Sequence, residues 1–224
     1  MPGNAVSVAT TLRHGQFDAG WIVHHGDALL VLNKPSDLLC QPGLEVPDSL
    51  ISRVQQHWPQ SQLVHRLDRD TSGLILVALT PELHRALSRL FAERQVHKRY
   101  VADVHGVPAP SAGVIELPIA KRQHRPPLYG VDPAGRPCCT RWRLIAAQGA
   151  SSRLELEPLT GRSHQLRVHL QAIGHPILGD PLYGDPRALP ATRLHLHASG
   201  LRFCHPISGS ALVFELPVPF APLH

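Results

Sequence analysis

The chain has 224 residues, 43% hydrophobic and 17% charged, with 22 Lys and Arg against 17 Asp and Glu. That composition excludes a disordered polymer and leaves enough apolar mass for one large domain or two small lobes. A formal charge of +5, with sixteen His in reserve, is compatible with an anionic partner and selects none.

Residues 1–20 show weak periodicity and many small or polar residues, and are expected to form a loose arm before a working domain over 21–224. No apolar stretch follows a basic start, and no run approaches membrane-spanning length, so a cytoplasmic protein without a membrane partner is expected. Residues 28–33 read as a strand. Asp48 is expected to open a helix with Leu50, Ile51 and Val54 on one face, ending near Pro59. His65-Arg66-Leu67-Asp68-Arg69-Asp70-Thr71-Ser72-Gly73 is a polar turn with a carboxylate between two arginines. It leads into the apolar run over 74–79, read as a buried strand. Asp68 therefore stands where an element enters the core, beside cations that attract phosphate. Asp70, directly before Thr-Ser-Gly, reads as a turn residue.

Thr80 is the expected N-cap of a helix with Pro81 first in it and Glu82 at its positive end. Leu83, Leu87, Leu90 and Phe91 form its stripe. Residues 98–105 alternate as a strand, with Tyr100, Ala102 and Val104 on one face, and 141–144 and 153–156 do likewise. Residues 106–136 hold many prolines and the basic cluster Lys121-Arg122-Gln123-His124-Arg125, a loop or hairpin insertion. Over 163–173, Leu166, Leu170 and Ile173 share one helical face, while His164, Arg167 and Gln171 share another. Gly174 is the stop. Arg162 lies near the helix start, where free N–H groups add to its pull on phosphate. Strands mixed irregularly with few helices predict an α+β fold around a mixed, largely antiparallel central sheet with flanking helices. The His spacings match no zinc pattern, and Cys40, Cys138, Cys139 and Cys204 form no C-x-x-C pair. No metal and four free thiols are expected. His195 and His197 read as ordinary partly exposed residues of one strand face.

Five elements, in order, resemble the RluA family of pseudouridine synthases. His65 to Gly73 is similar to its H-R-L-D-x-x-T-S-G signature. Asn33-Lys34-Pro35-Ser36-Asp37-Leu38 resembles N-K-P-x-G-L, with Asp37 where Gly is usual. Lys98-Arg99-Tyr100 resembles K-x-Y, Gly161-Arg162-Ser163-His164-Gln165-Leu166-Arg167-Val168-His169 resembles G-R-x-H-Q-L-R-x-H, and Gly174 to Asp180 resembles G-H-P-I-x-G-D.

The resemblance implies a sheet with an RNA cleft across its middle and an isomerase converting uridine in RNA to pseudouridine without cofactor. It implies Asp68 as the catalytic carboxylate, Arg167 as its partner, and Tyr100 as a ring stacking on the uracil whose hydroxyl helps remove the C5 proton. Arg66 would enter the RNA stack as the uridine leaves it, and Leu196 would wall a dry pocket. Further RNA contacts are expected from Arg69, Arg162, His164, Lys121, Arg122 and Arg125. Many members carry a small S4-like RNA-binding domain before the first element. About thirty residues precede it here, so that domain is expected to be absent and the protein a monomer. The closest likeness is to short members that act on a large-subunit rRNA loop, a tRNA anticodon stem–loop, or both. A catalytically silent RNA-binding protein and a hydrolase pairing Asp68 with a His are the alternatives. Intact Asp68, Tyr100 and Arg167 argue against the first, and the second leaves the Gly161 element unexplained.

Overall fold

The computed structural model describes residues 15–124, 127–185 and 191–221. The chain runs through β1 (Ile22–His25), β2 (Leu29–Lys34), α1 (Leu50–Val54), β3 (Gln62–Leu63), β4 (Ser72–Ala78) and α2 (Pro81–Ala92). It continues through β5 (His97–His105), β6 (Ala112–Ile115), β7 (Ile119–His124), β8 (Pro127–Val131), β9 (Thr140–Gln148) and β10 (Ser151–Pro158). It closes with α3 (Gln165–Ala172), β11 (Leu196–Cys204) and β12 (Ala211–Glu215). The fold is α+β: one sheet in the order β1-β2-β4-β11-β5-β10-β9-β6, with β3 beside β4, β12 beside β11, and β7-β8 a separate hairpin.

Its pairings are antiparallel except at the centre, where β4 and β11 run parallel through His197 opposite Ser72 and Ala198 opposite Gly73. This pairing brings the turn before β4 and the start of β11 to the same end of the sheet. Gly73 makes the approach possible. At its φ of 113° a Cβ would lie 2.3 Å from the Ala198 carbonyl oxygen, so no other residue fits without moving backbone.

β4 is buried throughout. Leu74 and Leu76 pack with Leu29, Val31 and the α2 residues Leu83 and Leu87. Ile75 and Val77 pack with Leu30, Leu32 and the α1 residues Leu50 and Val54. A strand covered on both faces reads as a continuous apolar run, not an alternation. A further core joins Ala102, Val104, Leu154 and Leu156 to Leu166 and Leu170 of α3. Leu196 and Ala198, two apart in β11, belong to different cores on one face, and Tyr100 touches both. The cleft opens over this seam.

Several expectations need correction. The helix near Asp48 is only five residues long and is capped by Ser49, while Asp48 instead takes the Arg53 guanidinium. Of the expected arm, residues 1–14 lie outside the described residues, and within 15–20 the side chains of Gln16 and Asp18 are exposed while Phe17 is half-buried. Phe17 sits edge-on to Trp21 and Trp58, and the Gly15 carbonyl accepts from Gln56. His197 is 1% exposed, with Nδ1 2.8 Å from Ser72 Oγ, so it is a core residue. The four cysteines are free. Among the described residues no helix is long and apolar enough to cross a membrane.

Candidate active site

The turn over residues 66–71 is held from below by the segment that follows β2. Lys34 is fully buried, and its ammonium donates to the carbonyls of Pro35 (2.8 Å), Leu38 (2.8 Å) and Arg69 (2.9 Å). Burial pulls its pKa down to about 8. Cys40 Sγ donates to the Leu67 carbonyl at 3.2 Å and accepts from the Leu67 N–H at 3.3 Å. Ser36 Oγ donates to the Asp70 carbonyl at 2.6 Å. Asp37 takes the left-handed φ of 61° that the glycine of the motif adopts freely, and its carboxylate pairs with Arg69 at 2.5 Å. Asp68, between these anchors, is the carboxylate left facing the cleft, with a quarter of its side chain exposed (25%).

Opposite stands α3. Its start is tied down by Gln165, whose carbonyl accepts from Thr160 Oγ1 (2.8 Å) and the Arg162 N–H (3.0 Å) while its amide donates to the Cys139 carbonyl (3.0 Å). Arg167, one turn into the helix, is buried. Its Nε and Nη2 donate to the two carboxylate oxygens of Asp180 at 2.8 and 2.7 Å, and it lies 5.0 Å from the centre of the Tyr183 ring. Asp180 also accepts the backbone N–H groups of Leu182 and Tyr183. The fork therefore belongs to Asp180, and Nη1 reaches Asp68 at 3.6 Å, an ion pair without a direct hydrogen bond. His164 adopts φ 55° at the N-cap. Its Nδ1 is 2.7 Å from the Tyr183 hydroxyl, and its Nε2 is 4.0 Å from Asp68. Burial pulls His164 down despite the charge of Asp68, so the ring is neutral near pH 7.

The cleft between these parts has a volume of about 1280 Å³. Asp68, Tyr100, Arg167 and Leu196 line it together, and Arg66, Arg69, Arg162 and His164 belong to the same lining. Burial, then the charge of Asp68, pushes the Tyr100 phenol up, so it stays a neutral hydroxyl. Lys121 and Arg122 stand on β7 outside the lining. Arg122 is engaged by Asp132 at 2.9 Å and Lys121 by His124 at 3.1 Å. Arg125 lies outside the described residues. The hairpin reaches the cleft instead through Pro127 and Tyr129, whose ring meets His164 edge-on at 5.0 Å.

Lys34, Cys40, Asp180, Tyr129 and Tyr183 carry roles that sequence reasoning did not assign. Lys34 and Asp180 sat inside quoted motifs. A Lys or Asp surrounded by apolar residues signals a buried charge that must be paired, yet spacing alone names no partner.

Residues 28–172 match a family model described as RNA pseudouridylate synthase. The chain is 46% identical over 204 residues to the dual-specificity RNA pseudouridine synthase RluA of Salmonella typhi, covering 89% of this chain and 93% of the relative. The Escherichia coli K12 enzyme of the same name is 45% identical over the same shares. Among solved structures, the chain is similar to human RNA pseudouridylate synthase domain containing 1, with TM-score 0.75, 31% identity, and 90% and 84% of the two chains covered. Human RNA pseudouridylate synthase domain containing 4 gives TM-score 0.72 and 29% identity, with 88% of each chain covered.

Proposed function

The chain belongs to the RNA pseudouridylate synthase family, and from that premise we propose that it converts specific uridines in structured RNA loops to pseudouridine. The substrates are a large-subunit rRNA loop, a tRNA anticodon stem–loop, or both. The dual specificity in the relatives' name supports two substrates. The same reading makes residues 21–224 one catalytic domain, acting as a cytoplasmic monomer where those RNAs are found. The observation that carries it is Asp68 facing the cleft, with the Arg167 guanidinium held beside it by Asp180.

The chemistry sets the tasks. Uracil must leave C1′ through N1, turn, and rejoin through C5, which a stacked base cannot do. The nucleotide is therefore flipped into the cleft at a cost of a few kcal/mol, least for a loop. Arg66 would fill the vacated stack. Asp68 opens the reaction by covalent attack on the sugar or the base, or by withdrawing a ribose proton to give a glycal. In each case the carboxylate acts beside a fixed cation in a site walled by Leu196. Tyr100 supplies a ring for the detached uracil, and its neutral hydroxyl relays the C5 proton at the end. The reaction is an isomerisation with no net redox change or hydrolysis, so no cofactor is required.

Tritium release from RNA carrying [5-³H]uridine, followed by mapping of the product, tests this. Wild-type protein should form pseudouridine without added metal or nucleotide. Asp68→Asn should bind the RNA and form none. Activity surviving in Asp68→Asn, or abolished by chelator, would overturn the reading.

A further inference from the structure

The cations lining the cleft are engaged to different degrees. Arg69 is paired with Asp37, Arg162 donates to the Pro137 carbonyl at 3.4 Å, and Arg141 stands 3.7 Å from Glu157. Arg94 and Lys98 line the same cleft, yet among the described residues neither side chain has a hydrogen-bond or ion-pair partner. Arg94 is exposed just past α2, at a left-handed φ of 59°. Lys98 is half-buried near the start of β5, and its ammonium faces Gly161, where an added Cβ would lie 3.9 Å from Nζ. Burial lowers the Lys98 pKa, the neighbouring charge of Arg94 lowers it further, and no carboxylate offsets either effect. A half-buried cation without an acceptor costs the free protein stability. Here the half-buried Lys98 also feels the charge of the exposed Arg94.

Their position says what anion would satisfy them. Lys98 precedes Tyr100 by two residues on one strand, so their side chains share a face about 6.6 Å apart along it. A base resting on Tyr100 keeps its own backbone within reach of Lys98. We propose that Arg94 and Lys98 form a phosphate seat at this end of the cleft, holding the RNA backbone beside the flipped nucleotide. The proposal rests on the reading of the chain as an RNA-modifying enzyme. It places part of the grip on the α2–β5 connection.

The test uses an RNA hairpin in whose loop the wild-type chain forms pseudouridine, with affinity measured over a series of KCl concentrations. Replacing Arg94→Met and Lys98→Met together should weaken binding and flatten the dependence of log affinity on log salt. The flattening should be about 0.7 to 0.9 for each phosphate that is no longer neutralised. Lys98→Arg should keep the wild-type slope. Arg202→Met removes the same charge from an exposed residue outside the lining and should also keep it. If the double variant folds poorly, Arg94→Met alone, on the exposed turn, should give about half the flattening. An unchanged slope in a folded variant overturns the seat, as does equal flattening by Arg202→Met. Absence of pseudouridine with the wild-type chain would instead overturn the functional reading.

Discussion

At the scale of single residues, the site turns on how one guanidinium is shared. Arg167 gives both hydrogen bonds of its fork to Asp180 and keeps one amino group for Asp68. Removing Asp180's charge leaves a buried cation uncompensated, which costs about 3–5 kcal/mol. Asp180→Asn should lower the unfolding free energy by that order. In the fraction that folds, single-turnover rate should fall far more than RNA affinity, because the lost partner acts on Arg167 and not on phosphate. Denaturant titration and single-turnover kinetics check the two halves separately. Tyr100→Phe keeps the ring and removes the proposed relay. Turnover should drop by roughly 10²- to 10⁴-fold, the usual worth of positioned proton transfer, with RNA affinity little changed. A wild-type rate in Tyr100→Phe would reduce Tyr100 to packing. That Asp68, Tyr100 and Arg167 meet in one cleft was legible because each sits in a motif shared with the family that the chain resembles. Asp180's role was not, because its partner comes thirteen residues earlier, on another element.

Among elements, β4 matters most, since it fixes where the turn before it can stand. Two neutral histidines hold it. His65 Nε2 accepts the Leu76 N–H at 3.1 Å, and His197 on β11 meets Ser72 Oγ. Burial pulls His65 down to about 3 and His197 to about 4, from 6.5 in an unfolded chain. Between those values the unfolded chain binds more protons than the folded one. Their contribution to stability is therefore complete above pH 6.5 and is lost as pH falls toward 4 and 3. Unfolding free energy should drop by a few kcal/mol between about pH 7 and about pH 4.5. His197→Gln should narrow that gap, and an equal gap in both proteins would assign the acid loss to other groups. The sequence shows β4 and α2 plainly, one by its unbroken apolar run and the other by its cap, proline and stripe. It misplaces the cap of α1 because Asp48 and Ser49 are both good caps, and only the ion pair with Arg53 removes Asp48. It misjudges His197 because a period of two says which residues share a face, not whether that face is covered.

For the molecule as a whole, the α+β class follows from the order of strands and helices, and a central cleft is what the family resemblance implies. The position of the cleft over a seam between two cores comes only from the partner choice of β11. Charge behaves in the same way. The basic cluster on the proline-rich segment draws the eye in the sequence, yet Lys121 and Arg122 lie outside the cleft lining, while Arg94 of the α2–β5 connection and Lys98 of β5 lie in it. Which cations converge is decided by topology, and adjacency along the chain is a poor guide to it.

The parallel contact of Ser72 with His197 spans 125 residues, and this has a consequence for synthesis. The turn bearing Asp68 leaves the ribosome more than a hundred residues ahead of the strand that braces it. Long-range pairings of this kind form late and slowly, after the loop-closure entropy has been overcome. A nascent chain therefore carries the signature residues long before it can use them, and competence to act on RNA switches on only when β11 docks.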